Sequence, residues 1–182
     1  VESIKDSTMM IYISTDAVYD GIRGNFSEED NINPQNYYGV SKYEGELEAL
    51  KHTNTLVLRT NIFGWNIQAK KSLGEWILGE LEVGRKISCF KDARFSSIYT
   101  FELAKVLDIL MRSNLRGVYN CCSSDSCSKY EFALMLASRF GLDKTLITPI
   151  SIDDFSFKAR RGKNLALNVS KLKKELDYEL PT

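Results

Sequence analysis

The sequence predicts an α/β fold, with a mainly parallel sheet in its first part and a mixed α+β region behind it. Residues 9–14 (MMIYIS) and 55–59 (TLVLR) are short, continuous apolar runs, which are typical of strands buried on both faces of a sheet. Between them, residues 37–52 have the pattern of a helix. A strand, a helix and a second strand joined by short links form a parallel crossover unit.

The other elements follow in order along the chain. Residues 16–36 are predicted to form a loop, because Asp, Asn, Gly and Glu are frequent there and Pro34 interrupts any regular element. Behind the second strand, we predict helices at 72–81, 100–111, 128–140 and 170–176, and strands at 86–90, 117–121 and 147–150. The helix from 128 begins at Ser128, a favourable cap, and ends before Gly141.

The composition excludes several classes of protein. Of the 182 residues, 43% are hydrophobic, which is enough to bury a core. The 24 basic and 24 acidic residues cancel, so the excess positive charge of a general nucleic-acid binder is absent. The longest apolar run falls far below the roughly 18 residues of a membrane span. We therefore expect a cytoplasmic protein with no nucleic-acid and no membrane partner.

A metal site is not expected either. The four cysteines, at positions 89, 121, 122 and 127, form no C-x-x-C pair, and His52 is the only histidine, so zinc-ligand spacing is missing. Cys121 and Cys122 follow an apolar strand, and we predict that they are buried, reduced thiols.

The helix at 37–52 has two distinct faces. Tyr38 and Lys42 are four residues apart and therefore neighbours on one face, together with the small residues Gly45 and Ala49. These small residues would allow that face to lie close to the sheet. The opposite face is apolar and must be covered by a second domain or by a partner subunit, for example in a homodimer. Its residues are Val40, Tyr43, Leu47 and Leu50.

Tyr38 and Lys42 suggest proton transfer. A tyrosine hydroxyl releases its proton reluctantly at neutral pH, and a nearby ammonium favours the release because it stabilises the phenolate. The first strand ends in Ser14, Thr15 and Asp16, at the carboxyl end of a parallel strand, where open α/β sheets bind ligands. Thr15 could hold a substrate oxygen while Tyr38 gives or takes its proton.

These residues carry a family resemblance. Residues 11–46, which include IYISTDAVYDG and FSEEDNINPQNYYGVSKYEGE, resemble the extended short-chain dehydrogenase/reductase superfamily, and within it most of all the dTDP-4-dehydrorhamnose reductase family. That family has a strand ending in Ser-Thr-Asp, followed later by Pro-x-Asn-x-Tyr-Gly-x-(Ser/Thr)-Lys-x-x-Gly-Glu. A shorter match to the family's closing stretch is formed by Arg161, Asn164, Leu167, Lys171 and Leu172.

The resemblance implies a domain organisation. The fold would be the C-terminal half of a Rossmann-like parallel sheet with a smaller mixed α+β substrate-binding region. Residues 1–65 would be the remaining part of the NAD(P)-binding domain and residues 66–182 mainly the substrate region, with the strand and helix at 85–113 returning to the sheet. Because no G-x-G-x-x-G cluster is present, we expect the front half of that sheet to be missing, so that the chain alone binds NAD(P)H poorly and is nearly inactive.

The resemblance also implies an activity, which is reduction by NADPH or NADH of the 4-keto group of a nucleotide-linked deoxysugar, in the biosynthesis of dTDP-rhamnose or related polysaccharide sugars. Tyr38 would be the general acid, and Thr15 would hydrogen-bond the carbonyl oxygen. Asp16 would be a neighbouring polar contact. Lys42 would hold the cofactor's ribose, and Ser14 would lie with Tyr38 and Lys42 against the cofactor.

Substrate contacts would come from Thr15, Asp16, Asn61 and Arg161. Arg161 belongs to a basic cluster with Lys158, Arg160 and Lys163, which suits a diphosphate because arginine presents a bidentate fork to such groups.

Two alternatives remain open at this point. Residues 59–64 (RTNIFG), with Asn61, resemble the epimerase branch more than the reductases, which favours a nucleotide-sugar epimerase or dehydratase. The same fold also serves as the regulatory subunit of methionine adenosyltransferase, so a non-catalytic regulatory subunit is the other alternative. The residue that separates NAD from NADP would follow the second strand of the missing half.

Overall fold

The structure is a computed structural model and describes residues 4–67 and 70–182. Within these residues the α-helices are α1 (Tyr37–Ala49), α2 (Leu73–Glu82), α3 (Thr100–Met111), α4 (Lys129–Arg139) and α5 (Ser170–Glu175). The strands are β1 (Met10–Thr15), β2 (Thr55–Thr60), β3 (Ile62–Phe63), β4 (Ile87–Phe90), β5 (Arg94–Phe95), β6 (Ile98–Tyr99), β7 (Gly117–Asn120), β8 (Cys127–Ser128), β9 (Ile147–Ile150) and β10 (Asn164–Leu165). Across the described ranges, no helix has the length and apolar character needed to cross a membrane.

The central sheet is parallel, with the strand order β1-β2-β7. Helix α1 crosses from β1 to β2, and all six residues of β2 are buried, as the continuous apolar run predicts for a central strand. The register pairs Met10 with Thr55 and Thr15 with Thr60, so the carboxyl ends of the two strands lie side by side. The predicted α/β fold with a parallel sheet is confirmed.

Two hydrophobic cores lie on either side of a cleft. The first joins the central sheet to α3 and α5 and includes Leu58, Val106 and Leu172. The second joins α2, α4, β4 and β9 and includes Ile77 and Phe132. Helix α3 therefore packs with the sheet. The strand at 87–90, expected to return to the sheet with it, instead pairs in parallel with β9 in the second core.

The cysteine prediction is confirmed for the adjacent pair. Cys121 and Cys122 are fully buried free thiols at the end of β7. Burial raises the pKa of Cys121 to about 12, so this thiol stays protonated at neutral pH.

Helix α1 is shorter than predicted, because it ends at Ala49 and not at residue 52. The carbonyl of Ala49 accepts hydrogen bonds from the His52 N–H, at 3.1 Å, and from the Thr55 hydroxyl, at 2.9 Å. These two groups turn the chain directly into β2. The start of α1 follows the predicted position and is capped by Asn36, whose side chain accepts a hydrogen bond from the Gly39 N–H.

Glycines bring α1 close to the sheet. A Cβ atom on Gly45 would lie 2.1 Å from the Tyr12 hydroxyl oxygen, and a Cβ on Gly39 would lie 2.3 Å from the carbonyl oxygen of Ala17. Neither position has room for a side chain. The opposite face follows the expectation only in part, since Val40, Leu47 and Leu50 are exposed, whereas Tyr43 packs against the first core.

A buried ion pair ties α1 to both strands of the crossover. Glu46 of α1 is 1% exposed and Arg59 of β2 is 4% exposed. Arg59 donates from Nη2 to Glu46 Oε2 at 2.7 Å and from Nε to Glu46 Oε1 at 3.0 Å. Ser14 of β1 donates to the same carboxylate at 2.5 Å. Nη1 of Arg59 donates to the Tyr19 hydroxyl at 2.7 Å, and burial raises the pKa of Tyr19 to about 12.

We expect Gly39→Ala to lower the free energy of unfolding by about 1–3 kcal/mol, because the added methyl group would strike the Ala17 backbone. Urea denaturation followed by circular dichroism measures this. Gly79→Ala in α2 is the matched control, since its Cβ would meet only the flexible end of Lys71, at 3.2 Å, and it should be neutral or stabilising. Equal effects at both glycines would contradict the close approach of α1.

We expect Glu46→Gln to destabilise the fold by about 3–5 kcal/mol, because it leaves the Arg59 charge buried without a counter-charge. The control on the same helix is Glu48→Gln. Glu48 pairs with Lys51 at 2.6 Å on the exposed surface, so its loss should cost less than about 1 kcal/mol in the same urea titration. A small effect at Glu46 would show that the buried pair does not hold α1 in place.

Candidate functional site

A cavity of about 760 Å³ lies at the carboxyl ends of β1 and β2, between the two cores. It occupies the position at which open α/β sheets bind ligands. Every site residue predicted from the sequence lines it, namely Ser14, Thr15, Asp16, Tyr38, Lys42, Asn61 and Arg161. The fold therefore gathers residues that are up to 147 positions apart in the sequence (161 − 14) into one site. Their roles toward a ligand stay predictions.

Thr15 and Asp16 form the floor of the cavity where β1 ends. Thr15 caps a short 3-10 helix at Asp16–Val18, because its hydroxyl accepts a hydrogen bond from the Ala17 N–H at 3.2 Å. The same hydroxyl donates to Asp16 at 3.1 Å, and the Asn61 amide donates to the other Asp16 oxygen at 2.7 Å. Asp16 is 3% exposed, and its burial raises the pKa of its carboxyl, which the two hydrogen bonds partly offset.

Lys42 is held against the carboxyl-terminal end of β1. Its ammonium donates to the Ile13 carbonyl at 2.6 Å and lies 4.4 Å from the centre of the Tyr12 ring. One turn earlier, Tyr38 is 57% exposed and lines the cavity. This arrangement fixes the cation and leaves the phenol accessible to a ligand.

Ser14 differs from the other predicted residues. It is buried, and its hydroxyl donates a hydrogen bond to the carboxylate of Glu46. The structure thus shows Ser14 as part of the ion-pair network under the cavity, and its contact with a cofactor stays a prediction.

Arg161 enters the cavity from the C-terminal segment. Its guanidinium lies 4.8 Å from the centre of the Phe157 ring and is otherwise exposed. Of the four residues in the predicted basic cluster, only Arg161 lines the cavity. Lys163 pairs instead with Asp153. The segment is fixed to the loop after β1, where the Asn164 N–H donates to the Gly21 carbonyl at 2.7 Å.

Lys129 also lines the cavity, and the sequence analysis did not find it. It is the first residue of α4, and its ammonium nitrogen lies 3.0 Å from the centre of the Phe95 ring. Burial lowers the pKa of Lys129 to about 8, although the charge of Asp16 acts in the opposite direction. The sequence did contain one signal for Lys129. The helix dipole disfavours a cation in the first turn of a helix, so a lysine at that position indicates a role other than stabilising the helix.

The site offers polar and charged groups for an organic ligand and no cluster for a metal. Among the residues that the structure describes, no group of three or more His, Cys, Asp and Glu side chains could hold a metal ion. The hydroxyls of Thr15 and Tyr38 and the ammonium of Lys42 line the cavity at the end of a parallel strand and offer hydrogen-bond donors to a ligand or cofactor.

Comparison with known proteins identifies the family. The family described as the RmlD substrate binding domain matches residues 3–182. Methionine adenosyltransferase 2 subunit beta of Danio rerio is 32% identical over 174 residues, which are 91% of this chain and 54% of that protein. The dTDP-4-dehydrorhamnose reductase of Sinorhizobium fredii is 29% identical over 182 residues, covering 94% of this chain and 62% of that protein.

A solved structure gives the same result. The dTDP-4-dehydrorhamnose reductase of Bacillus anthracis, crystallised in complex with NADP, superposes with a TM-score of 0.87 and 27% identity, over 96% of this chain and 62% of that one. The chain spans about half the length of the first curated relatives it matches. The family match over nearly the whole chain shows that it belongs to the RmlD substrate binding domain family.

Proposed function

We propose that this chain supplies the proton-transfer and substrate-binding residues of an NAD(P)H-dependent reductase, which acts on the 4-keto group of a nucleotide-linked deoxysugar in the biosynthesis of dTDP-rhamnose or a related polysaccharide sugar. One observation carries the proposal, namely that Thr15, Tyr38 and Lys42 line the same cavity at the carboxyl ends of β1 and β2. The similarity to the dTDP-4-dehydrorhamnose reductases of Sinorhizobium fredii and Bacillus anthracis supports it.

The proposed function also divides the chain into two regions. Residues 1–65 would belong to an NAD(P)-binding domain, and residues 66–182 mainly to the substrate region. In the described part of the chain, β1 pairs only with β2, so its other edge is available to further strands of a larger sheet. The cofactor of this proposal is NADPH or NADH, and a similar solved structure was crystallised with NADP.

The cofactor, when bound, supplies the hydride that reduces the carbonyl carbon. Tyr38 gives its phenolic proton to the oxygen of that carbonyl, so that a hydroxyl group forms and solvent then restores the proton on Tyr38. Lys42, held by the Ile13 carbonyl, would donate to the ribose hydroxyls of the cofactor. Thr15 orients the substrate oxygen.

The substrate's other groups would meet the remaining polar residues of the cavity. Asp16 and Asn61, joined by their 2.7 Å hydrogen bond, present acceptors and donors to sugar hydroxyls. Arg161 is exposed at the cavity, where its guanidinium can make bidentate contacts to the diphosphate.

A second candidate function is favoured by one comparison. The 32% identity to subunit beta of methionine adenosyltransferase 2 of Danio rerio supports a non-catalytic subunit that binds an enzyme partner. In that case, adding the whole protein to a methionine adenosyltransferase catalytic subunit would change its rate, and Tyr38→Phe would leave that change intact.

We expect Tyr38→Phe in the whole protein to lower the rate of dTDP-4-dehydrorhamnose reduction by at least about 100-fold, because it removes the proton donor. The decrease of NADPH absorbance measures the rate. Tyr43→Phe is the matched control on the same helix, since Tyr43 packs against the first core and does not line the cavity.

Two outcomes would contradict the reductase proposal. Full turnover in Tyr38→Phe would show that Tyr38 is not the proton donor. Conversion of the sugar without net loss of NADPH would indicate the epimerase or dehydratase alternative, in which the cofactor is returned after each cycle.

We also propose that the exposed residues of α1 form a homodimer contact. Leu47 is 48% exposed, and Val40 and Leu50 lie beside it on the same face. Leu47→Glu should convert a dimer to a monomer in light scattering, whereas Met135→Glu, at an exposed apolar position on α4, should leave the mass unchanged. Identical monomer masses for wild type and Leu47→Glu would contradict this contact.

A further inference from the structure

We propose that Lys129 binds the sugar of the nucleotide-sugar ligand directly, in the cavity that it lines together with Asp16. This inference rests on the proposed function and deepens it, because it assigns a substrate contact to the first residue of α4, a helix that packs in the second core. The two residues would hold the sugar between a donor and an acceptor.

Lys129 is fixed in position before any ligand arrives. Its backbone N–H donates to the Ala93 carbonyl at 3.0 Å, and the preceding residue, Ser128, caps α4 through a reciprocal pair of hydrogen bonds with Glu131. The ammonium lies over the ring of Phe95, which is buried and packs edge-on against Phe132. A group held in this way loses little freedom when it binds a ligand.

The ammonium has no ionic partner of its own. No acidic side chain in the described ranges forms an ion pair or hydrogen bond with it, although much of its surface is withdrawn from water. The positive end of the α4 dipole adds to the cost of this position. A desolvated, unpaired ammonium is unfavourable unless something else accepts its hydrogen bonds.

Three titratable groups act on its charge. Asp16 acts on it from the end of β1, Arg161 from the C-terminal segment and Cys127 from β8. Asp16 and Lys129 influence each other electrostatically but form no ion pair. A ligand group that accepts a hydrogen bond from Lys129 and donates one to Asp16 would therefore bridge the two residues.

The charge of Asp16 decides which part of the ligand fits. A diphosphate would accept from Lys129 but would bring further negative charge beside the buried carboxyl group of Asp16. A sugar hydroxyl both donates and accepts, so it satisfies the two residues together. Arg161, exposed at the cavity, remains available for the diphosphate.

The test compares dTDP-rhamnose with dTDP as ligands of the whole protein, by calorimetry at pH 7.5. In the wild type, dTDP-rhamnose should bind more tightly than dTDP because of the sugar contacts. Lys129→Met should reduce the ratio of the two affinities by about tenfold or more and leave the affinity for dTDP within about twofold. Lys105→Met is the control, because Lys105 also lies over a ring, that of Phe101, but does not line the cavity and is paired with Glu102.

Other results would overturn the inference, alone or together with the proposed function. An unchanged ratio of the two affinities in Lys129→Met would overturn the sugar contact. An equal loss of affinity for both ligands would also overturn it, because it would assign Lys129 to the diphosphate. A wild type that binds neither ligand would overturn the proposed function and this inference with it. A wild type that binds both, with an unchanged ratio in the variant, would overturn the inference alone.

Two further readouts separate a ligand contact from a structural role. Because the pKa of Lys129 is about 8, the affinity ratio of the wild type should fall as the pH rises from 7.5 to about 9.5, where the ammonium has lost its proton, and the ratio of Lys129→Met should stay flat. Asp16 and Arg161 are present in both proteins, so a matching decline in the variant would overturn the assignment.

The variant should also be more stable than the wild type. Removal of the unpaired ammonium should raise the midpoint of thermal unfolding by about 2–4 °C at pH 7.5. A lower midpoint would show that Lys129 supports the fold and would overturn the inference.

Discussion

The buried ion pair between Glu46 and Arg59 is the interaction on which the site depends. It joins α1 to β2, and the hydroxyl of Ser14 brings β1 into the same network. An ion pair of this kind is not simply a source of stability, because both charges lose their hydration on burial. Its consequence is geometric. The bidentate contact fixes the rotation of α1 about its axis, and this rotation decides that Tyr38 and Lys42 face the cavity while Leu47 faces away.

The cavity combines groups from two separately packed cores. The ends of β1 and β2 contribute Thr15, Asp16 and Asn61, and α4, which packs in the second core, contributes Lys129. Asp16 and Lys129 are both poorly hydrated, and burial moves the pKa of each toward the neutral form. Such groups cost more than apolar residues of the same size, and side chains with shifted pKa values in a cleft mark it as a candidate binding site. A ligand that crosses the cleft would offset this cost and hold the two cores together.

The same site is compatible with more than one function, and these functions differ in the residues and the cofactor behaviour that they require. A reductase needs the proton of Tyr38, whereas an epimerase or dehydratase needs a cofactor that is returned, and a regulatory subunit needs neither. The similarity to both a sugar reductase and a methionine adenosyltransferase subunit shows that the family's fold serves in both kinds of protein. The accessible phenol of Tyr38 and the cation of Lys42, held beside the same strand end, suit the proton transfer that a non-catalytic subunit would not need.

Local patterns in the sequence were sufficient for the crossover unit, for α3 at 100–111 and for the capped start of α4, because apolar periodicity and capping residues act over a few positions. The same patterns placed the predicted site residues at a strand end and on one helix face, which the tertiary structure gathers in one cavity. Only the tertiary structure decided that Ser14 binds Glu46, that Tyr43 packs inward, that β4 pairs with β9, and that Lys129 points into the cavity. These contacts join residues that are distant along the chain, and their energies come from burial and charge pairing in three dimensions, which no local pattern encodes.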